Sequence, residues 1–146
     1  MIVSRKEMLE IEEKSGISSF ELINLTGKKL ATHLLPYLEV NSNILVLAGN
    51  GNNGADSFAL INNLKQFHIN LILVNGLPKN PDAMKIYKQI PPSIIQPIHS
   101  LDTCLKSCDV IIDGIFGFGY HGKLTDETRT IFKQIQDAKK PIYSID

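Results

Sequence analysis

Along the first forty residues the apolar positions follow a helical rhythm. Phe20, Ile23, Gly27, Leu30 and Leu34 recur at spacings of three and four, which gathers them on one stripe of a helix and puts a glycine where another backbone can come close. Two start signals of the same kind mark this region. Ser4-Arg5-Lys6-Glu7 and Ser18-Ser19-Phe20-Glu21 both fit the capping box, in which hydroxyl and carboxylate satisfy each other's orphan backbone donors. They predict helices over 4–14 and 19–35, the first stopped at Gly16 by a left-handed turn and the second by Pro36.

Past residue 40 the rhythm changes to short, nearly continuous apolar runs. Ile44-Leu45-Val46-Leu47-Ala48, Leu71-Ile72-Leu73-Val74, Ser93-Ile94-Ile95-Gln96, Val110-Ile111-Ile112-Asp113 and Ile142-Tyr143-Ser144-Ile145 read as five strands. Helical segments over 55–66, 81–89, 101–106 and 126–138 alternate with them. Strands that are apolar on both faces belong to a covered sheet, so the expectation is an α/β fold, a Rossmann-like, doubly wound, mostly parallel sheet with an N-terminal two-helix preface. The preface takes 1–40 and the core 41–146 of a single domain.

Composition narrows the function classes. A chain of 146 residues, 43% apolar and 21% charged, suits one soluble globular unit. Fifteen basic against fifteen acidic residues leave no net charge, so no global field favours nucleic acid. No apolar run approaches the roughly 18 residues of a membrane span, and the charged start Met1-Ile2-Val3-Ser4-Arg5-Lys6-Glu7 is unlike a secretory signal. A cytoplasmic protein without membrane contact is expected. Cys104 and Cys108, four apart on a helix without a CxxC or a histidine pair, are expected to be reduced and buried in packing rather than engaged in redox or metal chemistry.

The candidate chemistry sits where strands end. Gly49-Asn50-Gly51-Asn52-Asn53-Gly54-Ala55-Asp56 satisfies G-x-G-x-x-G between a strand and a helix, a context that suits an anion at the helix start; the bland alternative is a linking turn. The second strand ends Val74-Asn75-Gly76, without the carboxylate that holds a ribose in the usual dinucleotide site, which argues against ordinary hydride transfer. Asn50, Asn52, Asn53 and Asp56 crowd the loop with oxygens of the kind hard cations take. Asp113 stands before a second glycine-rich loop, Gly114-Ile115-Phe116-Gly117-Phe118-Gly119-Tyr120-His121-Gly122, and Asp146 ends the fifth strand. In a parallel sheet Asn53, Asp113 and Asp146 share one edge. His33, His68 and His99 lack metal-ligand spacing, whereas His121 and Lys123 lie where a phosphate or nicotinamide contact competes with a plain surface role.

Together the two glycine loops and Ser144-Ile145-Asp146 resemble the three motif blocks of the YjeF N-terminal domain, the NAD(P)HX epimerase family, and the preface ending in Thr26-Gly27 is similar as well. The resemblance implies an isomerase that interconverts the R and S forms of hydrated NADH and NADPH for repair by a partner NAD(P)HX dehydratase, either separate or fused in the full-length protein. It implies a potassium ion with Asn53 and Asp113 as ligands. It also implies substrate contacts from Asn52, Asn53, Gly54, Ala55 and Asp56, and from Gly117, Phe118, Gly119, Tyr120, His121, Gly122 and Lys123, with Asp146 beside the substrate as acid/base. A homodimer is implied too. The family continues beyond the position of Asp146, so an incomplete core is expected. Ala55 stands where the family usually has a second glycine, and Asn24-Leu25-Thr26-Gly27 where it usually has Glu-Asn-Ala-Gly. The competing reading is a non-catalytic binding or dimerisation module of the same fold.

Overall fold

Helices α1 (Arg5–Ser15) and α2 (Ser19–Leu34) begin at the two capping boxes in the computed structural model, which describes residues 4–117 and 119–145. The Ser4 hydroxyl accepts from the Glu7 amide while the Glu7 carboxylate accepts from the Ser4 amide at 2.7 Å. Ser18 and Glu21 do the same at 3.2 and 3.1 Å. Gly16, at φ 68°, ends α1 in the left-handed region. On α2 a Cβ at Gly27 would overlap Ala59, because α2 lies directly on α3 (Asn52–Asn62). Phe20, Ile23, Leu30 and Leu34 of the predicted stripe pack against the same core.

The sheet holds β1 (Asn43–Ala48), β2 (His68–Leu73), β3 (Ile95–Gln96), β4 (Val110–Gly114) and β5 (Ile142–Ser144). Its order is β3-β2-β1-β4-β5, and every pairing is parallel. The central strand β1 shows why its sequence lacks alternation. Ile44, Val46 and Ala48 point into a core shared with α2, α3 and α4 (Pro81–Tyr87), while Leu45 and Leu47 point into a second core under α5 (Leu101–Ser107) and α6 (Asp126–Asp137). Cys104 and Cys108 are buried in that second core without a disulfide, and burial pushes both thiols up. Among the described residues no helix is long and apolar enough to cross a membrane.

Boundaries differ from the sequence pattern at β2, which starts at His68 rather than 71, at α4, which ends at Tyr87 rather than 89, and at α3 and β3. Helix α3 starts at Asn52 rather than 55, because Gly51 supplies an extended N-cap and the two asparagines already take helical geometry. It stops at Asn62, short of 66, and the chain then turns through Asn63 and Leu64. Strand β3 keeps only Ile95 and Gln96, since Pro92–Ile94 winds into a 3₁₀ turn.

Candidate functional site

The strand order reverses direction between β1 and β4, one neighbour leading outward through β2 and the other through β5. Crossover loops part there, and ligands of open α/β sheets bind beyond the carboxyl ends of the strands at that point. The two glycine loops leave from these two strands.

Close approach explains the glycines. A Cβ at Gly54 would overlap the Gly49 carbonyl oxygen, so the first turn of α3 sits directly on the turn that leaves β1. A Cβ at Gly117 would overlap the side-chain amide of Asn53. That amide is the joint of the site. Its Nδ2 donates to the Phe116 carbonyl at 2.8 Å and to the Ile145 carbonyl at 2.5 Å, tying α3 to the segments leaving β4 and β5. Ser57, one turn along α3 and fully buried, donates to the Asn53 carbonyl at 2.8 Å. Asp113, half-buried, accepts from the Ile115 amide at 3.0 Å through Oδ1, and its carbonyl accepts from the Ile145 amide at 2.8 Å. Asn53 and Asp113 therefore share one edge of the sheet, as expected. Asp146 and Phe118 lie outside the described residues.

Above this joint opens a cleft of about 660 Å³. One wall is the first glycine turn with Asn52 and Asn53; another is the exit of β2 with Asn75 and Lys79. The third wall carries Gly117, Gly119 and Tyr120, whose ring lies 4.0 Å from that of Phe116, and the fourth carries Thr125 and Thr128 at the start of α6. Leu9 of α1 reaches its rim. The planar ring pair and hydroxyl pair give the cleft surfaces for an aromatic ring and for polar groups.

Not every sequence candidate lines it. Gly54 and Ala55 are buried behind the turn and support the cleft through the backbone. Asp56 is half-buried on α3 and off the cleft wall; desolvation first, and the Glu12 carboxylate of α1 second, push it up to about 6. His121, Gly122 and Lys123 are exposed and also off that wall, because the chain turns at Gly122, φ 130°, on its way to α6. His33 lies on α2 with Nδ1 2.8 Å from the Lys29 carbonyl, while His68 and His99 are at the surface.

The structure adds groups that the sequence did not single out. The carbonyls of Phe116 and Ile145 carry no sequence signal, since every residue has one. Lys79 comes to the cleft only through tertiary contacts: its amide donates to the Asn50 carbonyl at 3.2 Å, and Asn50 Nδ2 donates to the Asn75 carbonyl at 2.9 Å. Thr125, likewise not singled out in the sequence, caps α6, its hydroxyl accepting from the Thr128 amide at 3.2 Å; a threonine directly before two acidic residues is the local signal that could have found it.

Among the described residues no three His, Cys, Asp or Glu side chains gather around a metal position. What meets there is the Asn53 Nδ2 with the two backbone carbonyls it donates to, a neutral set closed by its own hydrogen bonds, and Asp113 stands on the adjoining strand β4.

Known proteins share the sequence family and the fold. A family model described as YjeF-related protein N-terminus matches residues 19–146. An NAD(P)H-hydrate epimerase of Fusarium vanettenii is 27% identical over 94% of this chain and 59% of its own length. One of Paramecium tetraurelia is 31% identical over 93% and 60% respectively. A bifunctional NAD(P)H-hydrate repair enzyme, Nnr, of Dictyoglomus turgidum is 34% identical over 73% of this chain and 22% of its own. The chain thus spans about 60% of the length of the first two relatives. The crystal structure of yeast ynu0, YNL200c, superposes with a TM-score of 0.84 at 21% identity, covering 100% of this chain and 70% of the yeast one, which shows the shared fold. With its glycine loops interlocked at one sheet edge and 128 of its 146 residues (19–146) matched by the family model, the chain belongs to the family of YjeF-related protein N-termini.

Proposed function

We propose that the chain forms the nucleotide-binding part of an NAD(P)H-hydrate epimerase, an isomerase that interconverts the R and S forms of hydrated NADH and NADPH. The observation that carries this reading is the Asn53 joint, which gathers the ends of β1, β4 and β5 beneath a cleft of nucleotide size. The names of the relatives support it.

In this reading the substrate lies against Asn52 and Asn53 on one side and Gly117, Gly119 and Tyr120 on the other, with Gly54 and Ala55 shaping the first turn. Asp146 follows Ile145, whose amide and carbonyl are both held, and its carboxyl group serves as acid and base. It gives a proton to the hydroxyl leaving the hydrated carbon, and takes one back from the water that adds to the opposite face. No proton is consumed overall, and one group serves both directions. Asn53, Asp113 and the carbonyls of Phe116 and Ile145 would hold a potassium ion, with the Asn53 amide turned so that its oxygen joins the two carbonyls. When bound, the ion supplies positive charge beside an anionic substrate. A dehydratase, separate or fused as in a bifunctional relative, would consume the S form. The cytoplasm is the setting of this reading, and the apolar residues Met8, Leu9 and Ile11 exposed on α1 support a homodimer.

The test is loss of R-NADHX in the presence of a dehydratase, using the whole protein and an Asp146→Asn form. The variant is expected to lower kcat about a hundredfold or more with KM little changed. Equal rates would remove Asp146 from the chemistry, and no conversion by the wild type would overturn the function.

A further inference from the structure

We propose that Lys79 grips a phosphate group of the nicotinamide nucleotide that the cleft binds. This rests on the reading of the cleft as a site for a nicotinamide nucleotide derivative. At the exit of the second strand of a doubly wound sheet, a carboxylate recognises a free ribose diol and a cation recognises a phosphate. Here β2 leads into Val74-Asn75-Gly76-Leu77-Pro78-Lys79, with no acid and one base.

The placement of that base is built. Two hydrogen bonds, Lys79 amide to Asn50 carbonyl at 3.2 Å and Asn50 Nδ2 to Asn75 carbonyl at 2.9 Å, fasten the β2 exit to the first glycine turn. Pro78 is buried, and Asn80 caps α4 by accepting from the Asp82 amide at 2.8 Å, so the backbone on both sides of Lys79 is anchored. Lys79 is exposed and lines the cleft with Asn52. It forms no ion pair with any described residue, whereas Lys85 nearby is paired to Asp82 at 2.9 Å. Among the described residues the only other charged side chain on the cleft wall is Glu127, on α6. An anchored, unpaired ammonium on one wall suits a phosphate oxygen, whether from a 2′-phosphate or from the diphosphate bridge.

The experiment measures Kd for NADP⁺ and for NAD⁺ by calorimetry on the whole protein, with Lys79→Ala and Lys79→Arg, alongside KM for the two R hydrates. A charge-assisted hydrogen bond at a partly exposed site corresponds to about a tenfold loss. Lys79→Ala is expected to weaken binding by that factor and Lys79→Arg to stay within twofold. A loss confined to NADP⁺ identifies the 2′-phosphate, and an equal loss for both identifies the diphosphate. Unchanged Kd and KM in Lys79→Ala overturn the proposal while leaving the epimerase reading intact. Binding that depends on Lys79 in a protein that converts neither hydrate overturns the epimerase reading alone. A wild type that neither binds nor converts overturns both.

Discussion

The two glycine loops look alike in sequence and differ in the structure. In the first, Gly54 is buried and its missing side chain is the space occupied by the Gly49 carbonyl. In the second, Gly119 is exposed with nothing within 4 Å of a Cβ built on it. Gly114 and Gly117, at the β4 end, are locked, against Ser57 and the Asn53 amide respectively. In the first loop Gly49 and Gly54 let backbones touch while Gly51 between them is exposed with open space around it, and in the second Gly119 and Gly122 are exposed in the same way. A first loop packed at both ends and a second packed only at its start suit a site that positions part of a ligand and admits the rest.

The largest effect that would break this contrast is expected at Gly54. Gly54→Ala should cost about 3 kcal/mol in a urea titration, because the methyl group meets backbone that has no rotamer to change; a loss below 0.5 kcal/mol would show that the turn is not packed as described. Next comes Asn53→Ala, which leaves the Phe116 and Ile145 carbonyls without their donor and should cost about 2 kcal/mol.

Asp56 sharpens the comparison through pH. Its carboxyl is raised from 3.8 to about 6 in the folded protein, by desolvation and then by Glu12. The folded state therefore holds its proton over a range where the unfolded state has lost it. Its contribution to stability is full below pH 4, falls as pH rises from about 4 to 6, and is absent above. The change is about 1.5 kcal/mol after allowance for partial exposure. Asp56→Asn should remove this fall, matching the wild type near pH 4 and exceeding it by that amount at pH 7; parallel pH profiles of the two proteins would contradict the burial of this side. The smallest effect belongs to Gly119→Ala, which should leave the free energy of unfolding in urea within about 0.5 kcal/mol of wild type.

How much of this was legible in the sequence follows from the range of each signal. The capping boxes at Ser4 and Ser18, the stripe on α2 and the unbroken apolar runs of β1 and β4 are local patterns, and each predicted its element. Helix α3 was placed three residues late because Asn52 and Asn53 have low helix propensity and read as loop, while the packing that fixes their geometry comes from β4 and β5. The shared edge of Asn53 and Asp113 followed from parallel topology alone. What joins them did not: the acceptors at Phe116 and Ile145 are backbone atoms, 63 and 92 residues from Asn53. Lys79 was hidden for the same reason, since its approach depends on a brace between Asn50 and Asn75, 25 residues apart. Local chemistry marks where a site begins, and long-range backbone contacts decide which groups complete it.

The most direct test is the rate of R-NADHX epimerisation by the whole protein with Asn53→Ala, compared with wild type and Lys65→Ala, an exposed position off the cleft, under conditions where all three are folded. Loss of one preorganised polar group at the joint of three strand ends predicts a fall of about a hundredfold or more in Asn53→Ala and a near-normal rate in Lys65→Ala. An Asn53→Ala protein that keeps a rate within threefold of wild type would contradict the account.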